Sequence, residues 1–270
     1  MHPLRALAAI VLSALPFAHA GDTQVIQPAK AETVVETRTL PLASGSKLKV
    51  KNVNGWIRVE AWDREEVQFR GEFKPSSRDE QVKVVLESAP GSLEIKGEYP
   101  KHTESWGSYR GPECRMDLKV PRKVFARLES VNGEVALDGT IGEAACSTVN
   151  GKVHARNLEE GLKAETVNGS ISLEQVRGAL NLSTVNGSIS GTGLDGKAKG
   201  IAASTVNGSV KLQMAGIKGR LKATTVNGHL SFNAKGAEQV EVSKRRVEAT
   251  FPGGDQTISL STVNGSITVE

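Results

Sequence analysis

The side chains of this chain best suited to chemistry are its histidines, its carboxylates and one aromatic, basic stretch. Beyond residue 20 the histidines are His102, His154 and His229. None stands beside a second His, Cys or carboxylate at ligand spacing, so neither a metal site nor a cofactor is expected. Glu129 and Glu165 hold equivalent places in an internal repeat, but Ser147 fills that place in the unit between them. Asp138, Glu174 and Asp195 fall near turns. A carboxylate pair at glycosidase separation is therefore not expected. Neither a G-x-S-x-G elbow nor a phosphate loop occurs. No catalytic residue is assigned, and the chain reads as a protein that is not an enzyme.

Binding is the chemistry that remains. The stretch KHTESWGSYRGPE, Lys101–Glu113, gathers His102, Trp106, Tyr109 and Arg110. Aromatic and Arg side chains anchor binding surfaces, and loops on rigid scaffolds often carry function. The competing reading is a crossover whose Trp packs against the scaffold. A second candidate is a row of small outward hydroxyls that includes Ser188 and Ser190, able to meet an extended glycan or a protein face. Its plainer reading is solvation, because exposed strand positions are usually polar.

The elements that would hold these residues follow from a repeat. Val-Asn-Gly recurs with Asn54, Asn132, Asn150, Asn168, Asn186, Asn207, Asn227 and Asn264 at its centre. From Asn132 the steps are 18, 18, 18, 21, 20 and 37 residues, the last about two periods, which places a degenerate unit around Val240–Val247. A fixed period of this size marks a stacked repeat. Three residues after each Asn stands Ile, Val or Leu, and five after it another apolar residue except at Gly191. The residue four before Asn is also apolar, as in Val50, Leu128, Cys146 and Leu182. Polar residues fill the gaps, which is the two-residue period of strands buried on one face. That parity breaks just before Asn, so whether Thr or Val of T-V-N-G points inward is open.

An antiparallel meander would use each Asn-Gly as a hairpin. A parallel solenoid would stack Asn on Asn and Val on Val, and the near-identity of the T-V-N-G copies favours it. About 18 residues suit two strands of roughly six plus two turns, in two sheets ~10 Å apart. The fold class is thus all-β, a parallel β-helix or solenoid of ~18-residue coils with an irregular N-terminal β cap. At each corner Gly is expected to take positive φ and Asn to tolerate left-handed geometry, with stacked Asn amides forming a ladder.

The chain divides into residues 1–20, 21–40, 41–128 and 129–270. The first, MHPLRALAAIVLSALPFAHA, has the charge, apolar run and small-residue site of a secretory signal peptide. No Cys follows it to suggest a lipid anchor, and nothing later is apolar for long enough to span a bilayer. Residues 21–40 are an N-terminal extension. Residues 41–128 carry irregular strands that continue or cap the solenoid, and 129–270 hold the regular repeats. Setting aside Arg5 leaves 33 basic against 30 acidic residues, a net charge of +3. So mild and dispersed an excess does not point to nucleic acid. Cys114 and Cys146 allow one disulfide or two buried free thiols, and both readings stand. Because TVNGSITVE closes the sequence without a cap, end-to-end pairing with a second copy is also expected.

The segments VNGWIRVEAWD and DLKVP, with the train SVNGEVAL, TVNGKVHA, TVNGSISL and TVNGSISG, resemble the bacterial “putative-adhesin” β-solenoid family. The likeness covers about residues 45–270. It implies a right-handed parallel β-helix-like fold and an extracytoplasmic setting, and it transfers no catalytic residue. The expected function is that of a non-catalytic, exported, adhesin-like or envelope-structural solenoid, periplasmic or extracellular, whose rigid surface binds a cell-envelope glycan or protein. The alternative is a polysaccharide-active β-helix enzyme, a lyase or hydrolase.

Overall fold

The structure is a computed structural model that describes residues 10–11, 21–29, 32–100, 110–140, 142–195 and 200–270. Its described residues form strands and turns in two sheets, with no helix. Strand after strand alternates buried and exposed positions, as Ala179–Asn186 does, so each sheet turns one apolar face toward the other.

Eight two-strand coils stack along the axis. In spatial order they are residues 47–62, 125–138, 144–158, 161–176, 179–195, 201–215, 257–269 and 219–232. All pairings between successive coils are parallel, and Asn meets Asn where the corner strands extend far enough. The parallel stacking expected from the repeat is the fold observed. The repeat also begins before residue 129, since Lys47–Lys51 and Ile57–Trp62 make a full coil paired to Phe125–Glu129 and Val135–Asp138. Gly191, the exception among inward positions, sits at a register shift where Leu194 swings into the core in its place.

Two expectations about the far end are corrected. The segment around Val240–Val247 is not a coil but an antiparallel hairpin, Gln239–Ser243 and Arg246–Phe251, laid on the edge of Gly219–Asn227. The TVNGSITVE coil is not the open end of the stack. Its strands, Thr257–Asn264 and Ile267–Val269, lie between the 201–215 and 219–232 coils and are paired on both sides. End-to-end pairing through TVNGSITVE therefore has no free edge to use.

The other end is closed by strands that join the first coil in parallel and pair antiparallel with one another. Beyond Ile57–Trp62 lie Glu113–Pro121, Glu66–Lys74 and Val34–Pro41; beyond Lys47–Lys51 lie Ser92–Glu98, Lys83–Ala89 and Thr23–Ile26. This end buries Phe69, Phe73 and Met116, whereas the regular coils pack mostly Ile, Leu, Val and Ala. Cys114 and Cys146 are buried and not bridged. Cys114 lies on one sheet and Cys146 on the other, three strand positions apart along the axis. At ~4.8 Å per position that is about 14 Å, well beyond the ~7 Å limit for bridged Cα atoms. Burial pushes the Cys146 thiol up to about 12 and raises that of Cys114 further, so both are inert core groups.

Candidate functional site

Each residue of T-V-N-G has its own task at the corner. Thr148, Thr166, Thr184, Thr205, Thr225 and Thr262 point inward and are buried. Each hydroxyl donates to the Gly carbonyl of the adjacent coil at 2.8–3.0 Å. The following Val faces solvent, 40–50 % exposed from Val149 to Val263. This resolves the open parity in favour of Thr, whose hydroxyl satisfies a carbonyl that Val would leave unpaired.

The Asn side chains form one continuous ladder through Asn54, Asn132, Asn150, Asn168, Asn186, Asn207, Asn264 and Asn227. From Asn132 on, each amide donates to the carbonyl oxygen of the preceding Asn in this row at 2.8–3.0 Å, and Asn54, the first, donates to Pro112 O at 3.3 Å. The Gly requirement is corrected. Of the eight corner glycines only Gly55 and Gly265 have positive φ, and no corner Asn does. Glycine is needed because there is no room: a Cβ on Gly133, Gly151, Gly169, Gly187, Gly208, Gly228 or Gly265 would lie 1.7–2.0 Å from the carbonyl oxygen of a neighbouring corner glycine.

The outward face of the sheet after this corner is the broadest candidate surface. At its cap-side end lies an open depression of about 670 Å³. Ala136 lies on its floor, paired with Arg58 on one side and His154 on the other. Its walls alternate in charge. Arg58 meets Glu134 at 3.6 Å, Arg70 meets Asp117 at 3.2 Å and Arg156 meets Asp138 at 2.8 Å. Beside it the Trp56 ring carries two guanidiniums, Arg58 and Arg115, each 4.2 Å from its centroid, and donates Nε1–H to Asp117 at 3.2 Å.

The residues singled out from sequence fall in different places. Ser190, on this sheet, and Ser188, just before its strand Ile189–Asp195, are both exposed, three strand positions from Ala136 along the stack. Ser188 is a rung of a hydroxyl ladder, for its Oγ accepts from Ser209 N at 3.2 Å and its own N donates to Ser170 Oγ at 3.3 Å. Arg110 is exposed and lines a separate depression of about 650 Å³ with Asn54, Trp56, Lys74, Glu113 and Asn132. His102, Trp106 and Tyr109 lie outside the described residues, as does the expected signal segment apart from Ile10–Val11. Ser92–Glu98 and Glu113–Pro121 pair in parallel with the two strands of the 47–62 coil. Tyr99 seals that junction, with its hydroxyl donating to Asn52 Oδ1 at 2.6 Å, and burial raises it well above the usual phenol range.

Sequence reasoning missed the charged depression. Period-2 alternation does put Trp56 and Arg58 on one face, but Arg115 and Asp117 reach them only through the pairing of Ile57–Trp62 with Glu113–Pro121. Glu129, Ser147 and Glu165 occupy consecutive rungs on the opposite sheet, so the two carboxylates stand two strand spacings apart. Among the described residues no cluster of His, Cys, Asp or Glu could hold a metal ion, and no helix is long and apolar enough to cross a membrane.

Two sheets of parallel coils, locked at one corner by an Asn ladder and closed by an antiparallel cap, define a β-solenoid. The chain belongs to the Toastrack DUF4097 family, whose model matches residues 39–270. Among solved structures it is similar to a “putative adhesin” from Parabacteroides distasonis ATCC 8503, at TM-score 0.45 and 11% identity over 90% of this chain and 99% of that one. A “putative cell adhesion protein” from Clostridium sporogenes ATCC 15579 aligns at TM-score 0.40 and 14% identity, over 88% and 99% of the two chains. A “putative lipid binding protein” from Parabacteroides distasonis ATCC 8503 aligns at TM-score 0.42 and 12% identity, over 87% and 96%. No curated protein matches in sequence.

Proposed function

We propose that this is an exported, non-catalytic, adhesin-like β-solenoid whose charged sheet face holds an extended, charged partner in the cell envelope, a glycan or a protein. The observation that carries the reading is the open depression around Ala136, walled by Arg58, Arg70 and Arg156 and by their carboxylate partners. A neutral sugar would call for a bare aromatic face, but the Trp56 ring already carries two guanidiniums, and Trp62 carries Arg64 at 4.9 Å. A partner with its own charges can instead exchange with these solvent-exposed pairs, each of which is worth little alone, about 0–1 kcal/mol. A rigid sheet needs no ordering to present them, which lowers the entropic cost of binding. Export is supported by the character of residues 1–20.

The test immobilises residues 21–270 and probes them with a glycan array and an envelope extract. Retention is expected with the native chain and about tenfold weaker with Ala136→Trp, which fills the floor, a loss of about 1.4 kcal/mol. Retention of nothing by the native chain would count against the reading. Steady product release from acidic polysaccharides, lost on substituting one carboxylate, would overturn its non-catalytic half.

A further inference from the structure

The coils do not stack in chain order. Residues 201–215 connect through Gly216–Lys218 to residues 219–232, yet the 257–269 coil lies between them. This insert is held as fully as any interior coil. Asn264 donates to Asn207 at 2.8 Å and accepts from Asn227 at 3.0 Å. Thr262 donates to Gly208 O at 2.9 Å, and Thr225 donates to Gly265 O at 3.0 Å. Val210 N donates to Ser266 O and Ile267 N to His229 O, each at 2.9 Å.

The segment feeding the insert crosses the connection between its two neighbours. From the hairpin end at Phe251 the chain passes through Pro-Gly-Gly-Asp-Gln, whose first four residues are exposed, to Thr257 on the other side of Gly219–Asn227. Two glycines make that crossing. Gly219, at φ +82, has Gln256 O where a Cβ would stand, and a Cβ on Gly254 would lie 2.8 Å from Lys218 Cβ. The slot is thus a binding site for a two-strand arch with a T-V-N-G corner, and an exposed, glycine-rich hinge delivers its occupant.

We propose that residues 257–269 are an exchangeable insert, and that the slot accepts the same segment from a second copy of this chain to give a segment-swapped dimer. The corner chemistry that recognises the insert is identical in cis and in trans, because every bond above runs between the insert and the slot walls. Only the hinge distinguishes the two arrangements, and swapping through a hinge is a low-cost route to dimers.

The test uses the full chain with Ser204→Cys and Ser261→Cys. These positions are directly paired across the slot wall, at the ~4.8 Å spacing that a disulfide can bridge. The chain is refolded from denaturant at rising concentration and then oxidised. A covalent dimer of double the mass, increasing with concentration, is expected beside the internally bridged monomer. Deleting Gly253 and Gly254 shortens the hinge and is expected to raise the dimer share at a fixed concentration. As a control, Ser204→Cys with Thr224→Cys sets thiols on either side of the insert. This pair stays unbridged in monomer and dimer, because the slot is filled in both. Internally bridged monomer alone at every concentration, in both hinge lengths, overturns the proposal. So does a 204–224 bridge, which would show the slot closed without its insert.

Discussion

The two corners of each coil solve different problems. The T-V-N-G corner is crowded, with its Gly Cα pressed on the carbonyl of the neighbouring coil and its Thr hydroxyl and Asn amide each donating to that coil. Toward the opposite corner, the position seven residues after Asn is a matter of torsion. In four successive coils it places Gly139, Asn157, Gln175 and Gly193 in the left-handed region, at φ values of 79, 56, 53 and 62. Crowding permits one residue type, so the sequence repeats it. A torsion can be met by Gly, by Asn or, with strain, by Gln, so the sequence there varies. Similarity between copies therefore reports how tightly a position is packed against its own kind.

The 161–176 coil carries both corners and allows the contrast to be tested on one background, read as thermal unfolding at about 2–4 °C per kcal/mol. Gly169→Ala should be the most damaging. Its Cβ would stand 1.7 Å from Gly151 O and 2.6 Å from the Gly151 carbonyl carbon, and a loss at or above the upper end of the ~1–3 kcal/mol overpacking range is expected. A well-folded, unshifted Gly169→Ala protein would break the crowding argument. Thr166→Val keeps the shape but strips the bond to Gly151 O, and should cost about 1–2 kcal/mol, with Thr166→Ser recovering part of it.

Smaller effects sharpen the comparison. Asn168→Ala interrupts the exposed ladder between Asn150 and Asn186, for an expected loss of about 1 kcal/mol. At the other corner the sign should reverse. Gln175→Gly relieves a left-handed side chain that costs about 1–2 kcal/mol, partly offset by the entropy of the unfolded Gly, so a gain below about 1 kcal/mol is expected. A destabilised Gln175→Gly would mean that contacts of Gln175, not torsion, set that corner. Val167→Ser, on the exposed Val row, should stay within about 0.5 kcal/mol.

Much of the stack is legible in the residue pattern alone. Alternation marks the inward positions, because a strand buried on one face must repeat every two residues. Identical Asn-Gly copies mark the corner and the ladder. The choice between Thr and Val is not legible, since a one-residue parity break has no periodicity to read. Gly191 reads as a plain exception, and only the register shift that brings Leu194 into its place explains it. Of the candidate surface, the outward serines follow from alternation. The charged depression is hidden, because Arg70, Arg115 and Asp117 come from strands that the sequence does not align with the repeat.

By itself the sequence determined the all-β class, the parallel coil and the T-V-N-G corner, since each rests on local spacing and residue type. Only the tertiary structure decided the order of the coils and what closes the stack. Coils carrying the same T-V-N-G corner fit one another interchangeably, so local chemistry cannot say whether Asn227 should rest on Asn207 or on Asn264. That choice depends on where the hairpin of residues 239–251 lies and on how the glycine hinge after it crosses the chain, and both are long-range facts.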